Sequence, residues 1–173
     1  RFEGDEADYL QKYEGAPIEH SKRMLPELQA LGASEGVQLR FADLQQVNTR
    51  KAHRVFQLAQ YRGLGEEMLE RLFNAYFSEC QNLSDPQLLA DLAAEVGISR
   101  DEALAAALDE DENGMGEGSR WDEAVSADHS RAQMLGANGV PFSLFNAKYR
   151  VSGGQTAEVF AAALREVARR EFA

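Results

Sequence analysis

Apolar residues recur three and four positions apart through most of the chain, the spacing that gathers side chains on one face of an α-helix. Seven segments with this pattern are predicted to be helices: 17–31, 48–61, 66–80, 86–96, 100–108, 121–135 and 156–171. The stretch 48–108 is therefore a run of consecutive helices. In the third helix the predicted inward stripe is Leu69, Leu72, Phe73, Tyr76, Phe77 and Cys80, and in the last it is Val159, Phe160, Ala163, Leu164 and Val167.

Residues with terminating or capping chemistry mark the ends of several of these helices. Gly32 is expected to close the first, and Asp85 before Pro86 is a cap followed by proline at the first helical position. Ser99 and Glu102 have the spacing of a capping box, in which each side chain bonds the other residue's backbone N–H.

The pattern changes to short extended segments near the C-terminus. Residues 140–145 and 148–152 read as strands separated by Asn146-Ala147, which predicts a hairpin. The segment 37–41 alternates apolar and polar residues, so it is either a strand or an extended connector. Two strands are marginal by themselves. We therefore expect further strands, either from a missing segment or from another chain in an oligomer.

Composition narrows the classes of function. The 173 residues include 18 basic and 29 acidic side chains, a formal charge of −11, which argues against a nucleic-acid partner. No apolar run approaches the ~18 residues of a spanning helix, so no membrane partner is expected. The single cysteine excludes an internal disulfide framework and a multi-cysteine zinc site. The first residues lack the pattern of a signal peptide, which favours a cytoplasmic location.

Pro141 stands at the head of the first predicted strand, directly after Gly139-Val140. Proline cannot donate a hydrogen bond to a sheet, so it belongs at a strand start or edge. Only ~5–6 % of X–Pro bonds are cis, and this base rate alone favours a trans bond here.

Several motifs, in order, resemble those of one family. The segments Asn48–Arg54 and Leu72–Phe77 are similar to the helical insert of DsbA-like thioredoxin-fold oxidoreductases of the FrnE-type branch. The segments Gly139–Phe142, Lys148–Tyr149 and Val151–Gln155 are similar to that family's cis-proline loop, hairpin and turn into the last helix. The likeness extends over essentially the whole chain and is clearest from about residue 40 onward.

The resemblance implies an α/β, thioredoxin-like fold of the DsbA type with a large all-helical insert. In this chain it is mostly helical, with a C-terminal β-hairpin and a final helix. Residues 1–16 would connect to the missing part of the thioredoxin domain, 17–136 would form the insert, and 137–173 would complete the thioredoxin-like domain. The family's strand, Cys-x-x-Cys, helix and second strand would precede residue 1, a segment of about 35–45 residues at typical element lengths.

The same resemblance assigns the docking side of a thiol–disulfide exchange site to this chain, with no catalytic residue in it. Val140 and Pro141 would hold the substrate backbone, and Gly154 and Gln155, before the last helix, would suit a carboxylate such as that of glutathione. Asn48 and Arg54 match polar positions that face the family's site, although Asn48 is equally well explained as a helix cap. The implied partner is a protein or small-molecule thiol or disulfide. No cofactor is required, and glutathione is the one candidate ligand.

Three other features have simpler interpretations. Asp109, Asp111 and Asn113 match the opening of an EF-hand loop, but Arg120 occupies the twelfth position, where a bidentate glutamate is needed. We therefore expect an acidic solvated loop and no metal site. Cys80 lies on an apolar stripe and is expected to be a buried small hydrophobe. His53 is expected to be a packed or surface residue.

Three functions remain open from the sequence. The leading hypothesis is a protein of the disulfide oxidoreductase family that lacks the reactive dithiol in these 173 residues. A glutathione-dependent isomerase or transferase of the related kappa-type group, which includes 2-hydroxychromene-2-carboxylate isomerase, is the first alternative. The second is a non-catalytic module that binds peptides along the Val140–Pro141 edge. The residue that distinguishes the first two would lie before Arg1.

Overall fold

A computed structural model describes residues 12, 17–109 and 120–172. The described chain is mostly helical and carries one antiparallel hairpin before its last helix. The helices are α1 (Ile18–Ser34), α2 (Arg50–Tyr61), α3 (Gly65–Phe73), α4 (Pro86–Glu95), α5 (Arg100–Leu108), α6 (Arg120–Met134) and α7 (Ala157–Glu171). The strands are β1 (Phe142–Phe145) and β2 (Tyr149–Ser152). No helix of the described residues has the length and apolar character needed to cross a membrane.

The chain divides into two compact units, residues 1–125 and 126–173. The core of the first unit lies among α2, α3, α4 and α5. Its fully buried members are aliphatic or small, and the largest are Val55, Leu58, Met68, Leu89 and Leu92. Many of the rest are alanines, such as Ala59 and Ala93, whose short side chains allow close approach of the helices. The sequence-based domain boundary at 136/137 stays a prediction.

Capping chemistry accounts for the start of α4 but not for that of α5. Asp85 accepts a hydrogen bond from the backbone N–H of Gln87 at 2.9 Å, and Pro86 is the first helical residue, as predicted. Ser99 precedes α5 but its side chain makes no capping bond. The Glu102 carboxylate accepts from Arg62, 2.5 Å away, so the predicted capping box is wrong. The Glu102 carboxylate, which the capping box needed, is bound instead in an ion pair with the distant Arg62.

The inward stripe of α3 also differs from the prediction. Met68, Leu72 and Ala75 are buried, whereas Leu69 is 38 % and Phe73 50 % exposed. The helix changes to a π-helical turn over residues 74–78. The prediction for Leu72 is confirmed, whereas Met68 and Ala75 are buried in place of the larger Leu69 and Phe73.

The segment after α1 is an extended connector and not a strand. The helix itself continues through Gly32 to Ser34, contrary to the expected stop. The Arg40 backbone N–H then donates to the Phe77 carbonyl at 2.9 Å, and the Ser78 hydroxyl donates to the Gln38 carbonyl at 2.7 Å. A short 3₁₀ turn follows at 41–43. The connector is thus held against the π-helical turn by one backbone–backbone bond and one bond from the Ser78 side chain.

The second unit consists of the end of α6, the hairpin and α7. Pairing runs from Phe142 opposite Ser152 to Phe145 opposite Tyr149, so the predicted hairpin is present with slightly shorter strands. On α7, Val167 is buried, but Val159 is 43 % and Leu164 51 % exposed. These last two residues were expected to face inward, and they lie instead on the flanks of a narrower buried stripe.

The hairpin is fastened to the C-terminal end of α7 by one carboxylate. Glu171 accepts hydrogen bonds from Asn146 at 2.8 Å, from the Lys148 ammonium at 2.9 Å and from the Tyr149 hydroxyl at 3.0 Å. The ring of Phe145 packs edge-on against Phe160, with ring centres 6.3 Å apart. These contacts orient β1 and the loop that precedes it.

Candidate functional site

The loop before β1 presents a single exposed valine. The Val140 side chain is 93 % exposed, and the peptide bond between Val140 and Pro141 is cis, the isomer that the family resemblance implies. The Pro141 carbonyl accepts a hydrogen bond from the Gly153 N–H at 2.8 Å, which extends the hairpin pairing by one residue beyond β1. Pro141 therefore belongs structurally to the start of the strand.

The pairing pattern determines where the backbone groups of this loop point. In an antiparallel pair, alternate residues turn their N–H and C=O toward the partner strand and away from it. Because Pro141 bonds Gly153, Phe142 and Leu144 direct their backbone groups to the opposite side of β1. The sheet has two strands within the described residues, so this edge has no strand beside it there. Val140 also has no backbone hydrogen-bond partner in the described part of the chain.

The turn into α7 has its own donor and acceptor arrangement. Gly153 adopts a φ of 78°, and the Gln155 side chain donates to the Ser152 carbonyl at 3.0 Å. Glu158 lies in the first turn of α7. The Thr156 hydroxyl, and then the backbone N–H of Glu158 itself, hold the pKa of the Glu158 carboxyl below its ordinary value. The Glu158 carboxylate therefore uses donors at the start of α7. The sequence predicted that a substrate carboxylate would bind there, next to Gly154.

Asn48 and Arg54 lie in the first unit, and each has an identified structural role. Asn48 accepts a hydrogen bond from the Arg50 backbone N–H at 2.9 Å, which is the local capping interaction. Arg54 donates to Asp122 at 2.6 Å and to the Ala107 carbonyl at 3.3 Å. The guanidinium thus joins α2 to the end of α5 and the start of α6. A substrate contact for Asn48 and Arg54 stays a prediction.

Asp122 is the centre of this ion-pair group and was not singled out from the sequence. Its two carboxylate oxygens accept bonds from Arg50 at 2.5 and 2.7 Å in addition to the bond from Arg54. Hydrogen bonds from Arg50 are the main cause that lowers the pKa of Asp122 from 3.8 to about 2. The signal was absent from the sequence because the partners are 72 and 68 positions away.

Of the three predicted positions in the acidic loop, the structure describes Asp109. Asp109 adopts a left-handed backbone, with φ 67°, and its carboxylate lies 3.6 Å from Arg54. Asp111 and Asn113 lie outside the described residues. In the part of the chain that is described, no group of three or more acidic, histidine or cysteine side chains could hold a metal ion.

The remaining candidate side chains show no catalytic arrangement. Cys80 was expected to be buried in a helix; it is half-buried with φ 55°, beyond the π-helical turn, and its sulfur lies 3.4 Å from the Arg40 carbonyl oxygen. Because the helical segment ends at Ser78, Cys80 does not continue the apolar stripe of α3. His53 is exposed on α2, which agrees with a surface residue.

Comparison with known proteins agrees with this architecture. A family model for the DSBA-like thioredoxin domain matches residues 11–165. The fold is similar to the crystal structure of a probable DsbA oxidoreductase from Streptomyces coelicolor, with a TM-score of 0.83 and 30 % sequence identity. That match covers 98 % of this chain and 69 % of the other. A search of curated proteins found no match. The predicted DsbA-like thioredoxin fold is confirmed, and the chain belongs to the DsbA-like thioredoxin domain family.

Proposed function

We propose that this chain supplies the substrate-docking part of a DsbA-like, FrnE-type protein-disulfide oxidoreductase. The observation that carries the proposal is Val140, which is 93 % exposed beside a cis peptide bond and has no backbone hydrogen-bond partner within the described residues. An extended peptide can bind such a segment through main-chain hydrogen bonds, with little regard to its side chains. That suits an enzyme acting on many unfolded protein substrates.

The reaction in this proposal is thiol–disulfide exchange. A thiolate attacks one sulfur of the substrate disulfide, an enzyme–substrate disulfide forms, and the other substrate sulfur leaves as a thiolate. The dithiol comes from outside the 173 residues, because Cys80 is their single cysteine. No cofactor takes part. The role of the Val140 backbone is to hold the substrate strand while the disulfide bond is exchanged.

The turn into α7 favours a protein substrate over glutathione. A free carboxylate of glutathione would have to compete with the Glu158 carboxylate for donors at the helix start. The net charge of −11 also opposes an anionic ligand. We expect glutathione to leave the amide signals of Gly154 and Gln155 unchanged, and Glu158→Gln to permit binding there. Binding of glutathione to the unmodified chain at Gly154 would favour the isomerase or transferase alternative.

Peptide binding tests the docking role directly. A capped peptide containing an S-methylated cysteine in an extended sequence is titrated into ¹⁵N-labelled protein. We expect the amide signal of Val140 to shift, while the turn at Asn146 stays unchanged. Val140→Pro, which lacks the N–H donor, should weaken binding about fivefold, whereas Val140→Ala should stay within about twofold because it keeps the backbone. Equal effects of the two variants, or shifts elsewhere on the chain, would refute backbone docking.

The coding sequence before Arg1 tests the redox part of the proposal separately. A Cys-x-x-Cys in a strand–helix context supports the oxidoreductase, and a serine in place of the first cysteine supports the kappa-type branch. A stop codon directly upstream would leave only the peptide-binding module. The docking experiment is independent of this result, because it needs only the 173 residues.

A further inference from the structure

A groove lies in the first unit, between the C-terminal half of α2 and the start of α3. Its volume is about 540 Å³, within the range of sites that hold small ligands or a few side chains. The residues that line it are Phe56, Gln60, Gly63, Gly65, Glu66, Glu67 and Leu69. All of them belong to the first unit, and none was assigned a functional role from the sequence.

The floor of the groove is apolar and partly open to solvent. Phe56 is half-buried, and Leu69 is 38 % exposed. Phe73 lies one turn further along the same face of α3 and is 50 % exposed. Isolated apolar residues on a surface are ordinary, but apolar side chains that line a groove are typical of an interaction site.

The rim is acidic and its charges are unmatched. Glu66 and Glu67 stand exposed in the first turn of α3, and neither forms an ion pair with another described residue. Two other glutamates of the first unit do form ion pairs, Glu102 with Arg62 and Glu79 with Arg71. A ligand cation at the groove would therefore meet two free carboxylates without breaking an existing pair.

We propose that this groove docks a segment of a partner protein in which basic residues alternate with aliphatic or aromatic ones. The apolar side chains would cover Phe56 and Leu69, and the cations would lie against Glu66 and Glu67. Gly63 has open space where a side chain would begin, so a peptide backbone can approach closely there. The acidic rim excludes a nucleic acid and an acidic peptide as occupants.

Two capped hexapeptides test the charge requirement. The first is Gly-Lys-Leu-Arg-Phe-Gly, and the second replaces both basic residues with glutamate. Titrated into ¹⁵N-labelled protein, the basic peptide is expected to shift the amide signals of Gly63, Gly65 and Glu66, and the acidic peptide to leave them unchanged. The double variant Glu66→Gln/Glu67→Gln should weaken binding about fivefold, and more at low than at high salt.

A matched control separates the groove from the net charge. Glu27→Gln/Glu35→Gln removes the same charge from exposed positions on and after α1 and should leave the affinity within twofold. Leu69→Ala should weaken binding without changing its salt dependence. Equal binding of the two hexapeptides, equal effects of the two double variants, or shifts outside the groove would overturn the proposal. Groove signals that move when the protein alone is diluted would also overturn it, in favour of a second copy.

Discussion

Asp122→Asn should destabilise the first unit in a way that depends on pH. The carboxylate is 20 % exposed and holds Arg50 and Arg54 together. Its pKa is lowered from 3.8 to about 2, chiefly by hydrogen bonds from Arg50. Each pKa unit corresponds to about 1.36 kcal/mol, so the ion-pair group contributes at most about 2.5 kcal/mol. Screening at a partly exposed carboxylate reduces this to about 1–1.5 kcal/mol at pH 7.

The sign of the pH dependence follows from the lowered pKa. A carboxyl group that is more acidic in the folded state stabilises the fold above its unfolded pKa, and this contribution disappears as pH falls through the folded value. For Asp122 the window therefore runs from about pH 4 down to about pH 2. The difference between the wild-type protein and Asp122→Asn should be full at pH 5–7 and reduced by about half at pH 3.

Urea unfolding followed by far-UV circular dichroism at pH 7, 5, 4 and 3 measures this difference. Glu27→Gln is the control, because Glu27 is exposed on α1 and has no ion-pair partner among the described residues. A free-energy difference that stays constant from pH 7 to pH 3 would refute the assignment to the Asp122 carboxylate. No difference at pH 7 would refute the energetic importance of the ion pairs.

A companion pair of variants distinguishes the two arginines. Arg54 is 15 % exposed and also bonds the Ala107 carbonyl, whereas Arg50 is 46 % exposed. Lysine keeps the charge but not the planar set of donors. Arg54→Lys should therefore cost more stability than Arg50→Lys, by about 1 kcal/mol. Equal losses would mean that the carbonyl contact contributes nothing.

Three further predictions concern the second unit and the cysteine. Ala147 has φ 55° in the hairpin turn, a left-handed conformation that glycine adopts without strain. Ala147→Gly should therefore stabilise the protein by about 0.5–1 kcal/mol in thermal unfolding. The control Ala162→Gly, inside α7, should cost about 1 kcal/mol. Three donors lower the pKa of Glu171, with Lys148 foremost. Glu171→Gln should therefore speed hydrogen exchange of the Tyr149 amide at pH 7 but have little effect at low pH, where the wild-type carboxyl is protonated. An effect independent of pH would contradict this. The 173-residue chain should show no turnover in an insulin-reduction assay, and Cys80→Ser should change nothing; turnover by the purified chain would refute the assignment of the dithiol to a segment outside it.

Features with local causes were predictable from the sequence. The start of α4 follows from Asp85 and Pro86, because the cap and the first helical residue are neighbours in the chain. The hairpin follows from two β-rich runs separated by Asn146-Ala147. Such features need only the chemistry of adjacent residues, which the sequence displays directly.

Features that depend on distant partners were not predictable. Glu102 has the right spacing for a capping box with Ser99, but Arg62, 40 positions away, takes its carboxylate. The inward face of α3 depends on the shape of α2, and the periodicity of α3 alone does not contain that shape. For Arg54, the family motif identified a polar position, but its partner Asp122 was invisible without the fold.

The open edge of β1 also bears on the solubility of the isolated chain. Unpaired strand edges are templates for strand addition between molecules, the first step of many aggregation processes. Here the strand has four residues, and among them Phe142 and Leu144 direct their backbone groups to the open edge. Self-association by this route would therefore be limited to a very short pairing. The shortness of β1 thus protects the isolated chain against β-aggregation.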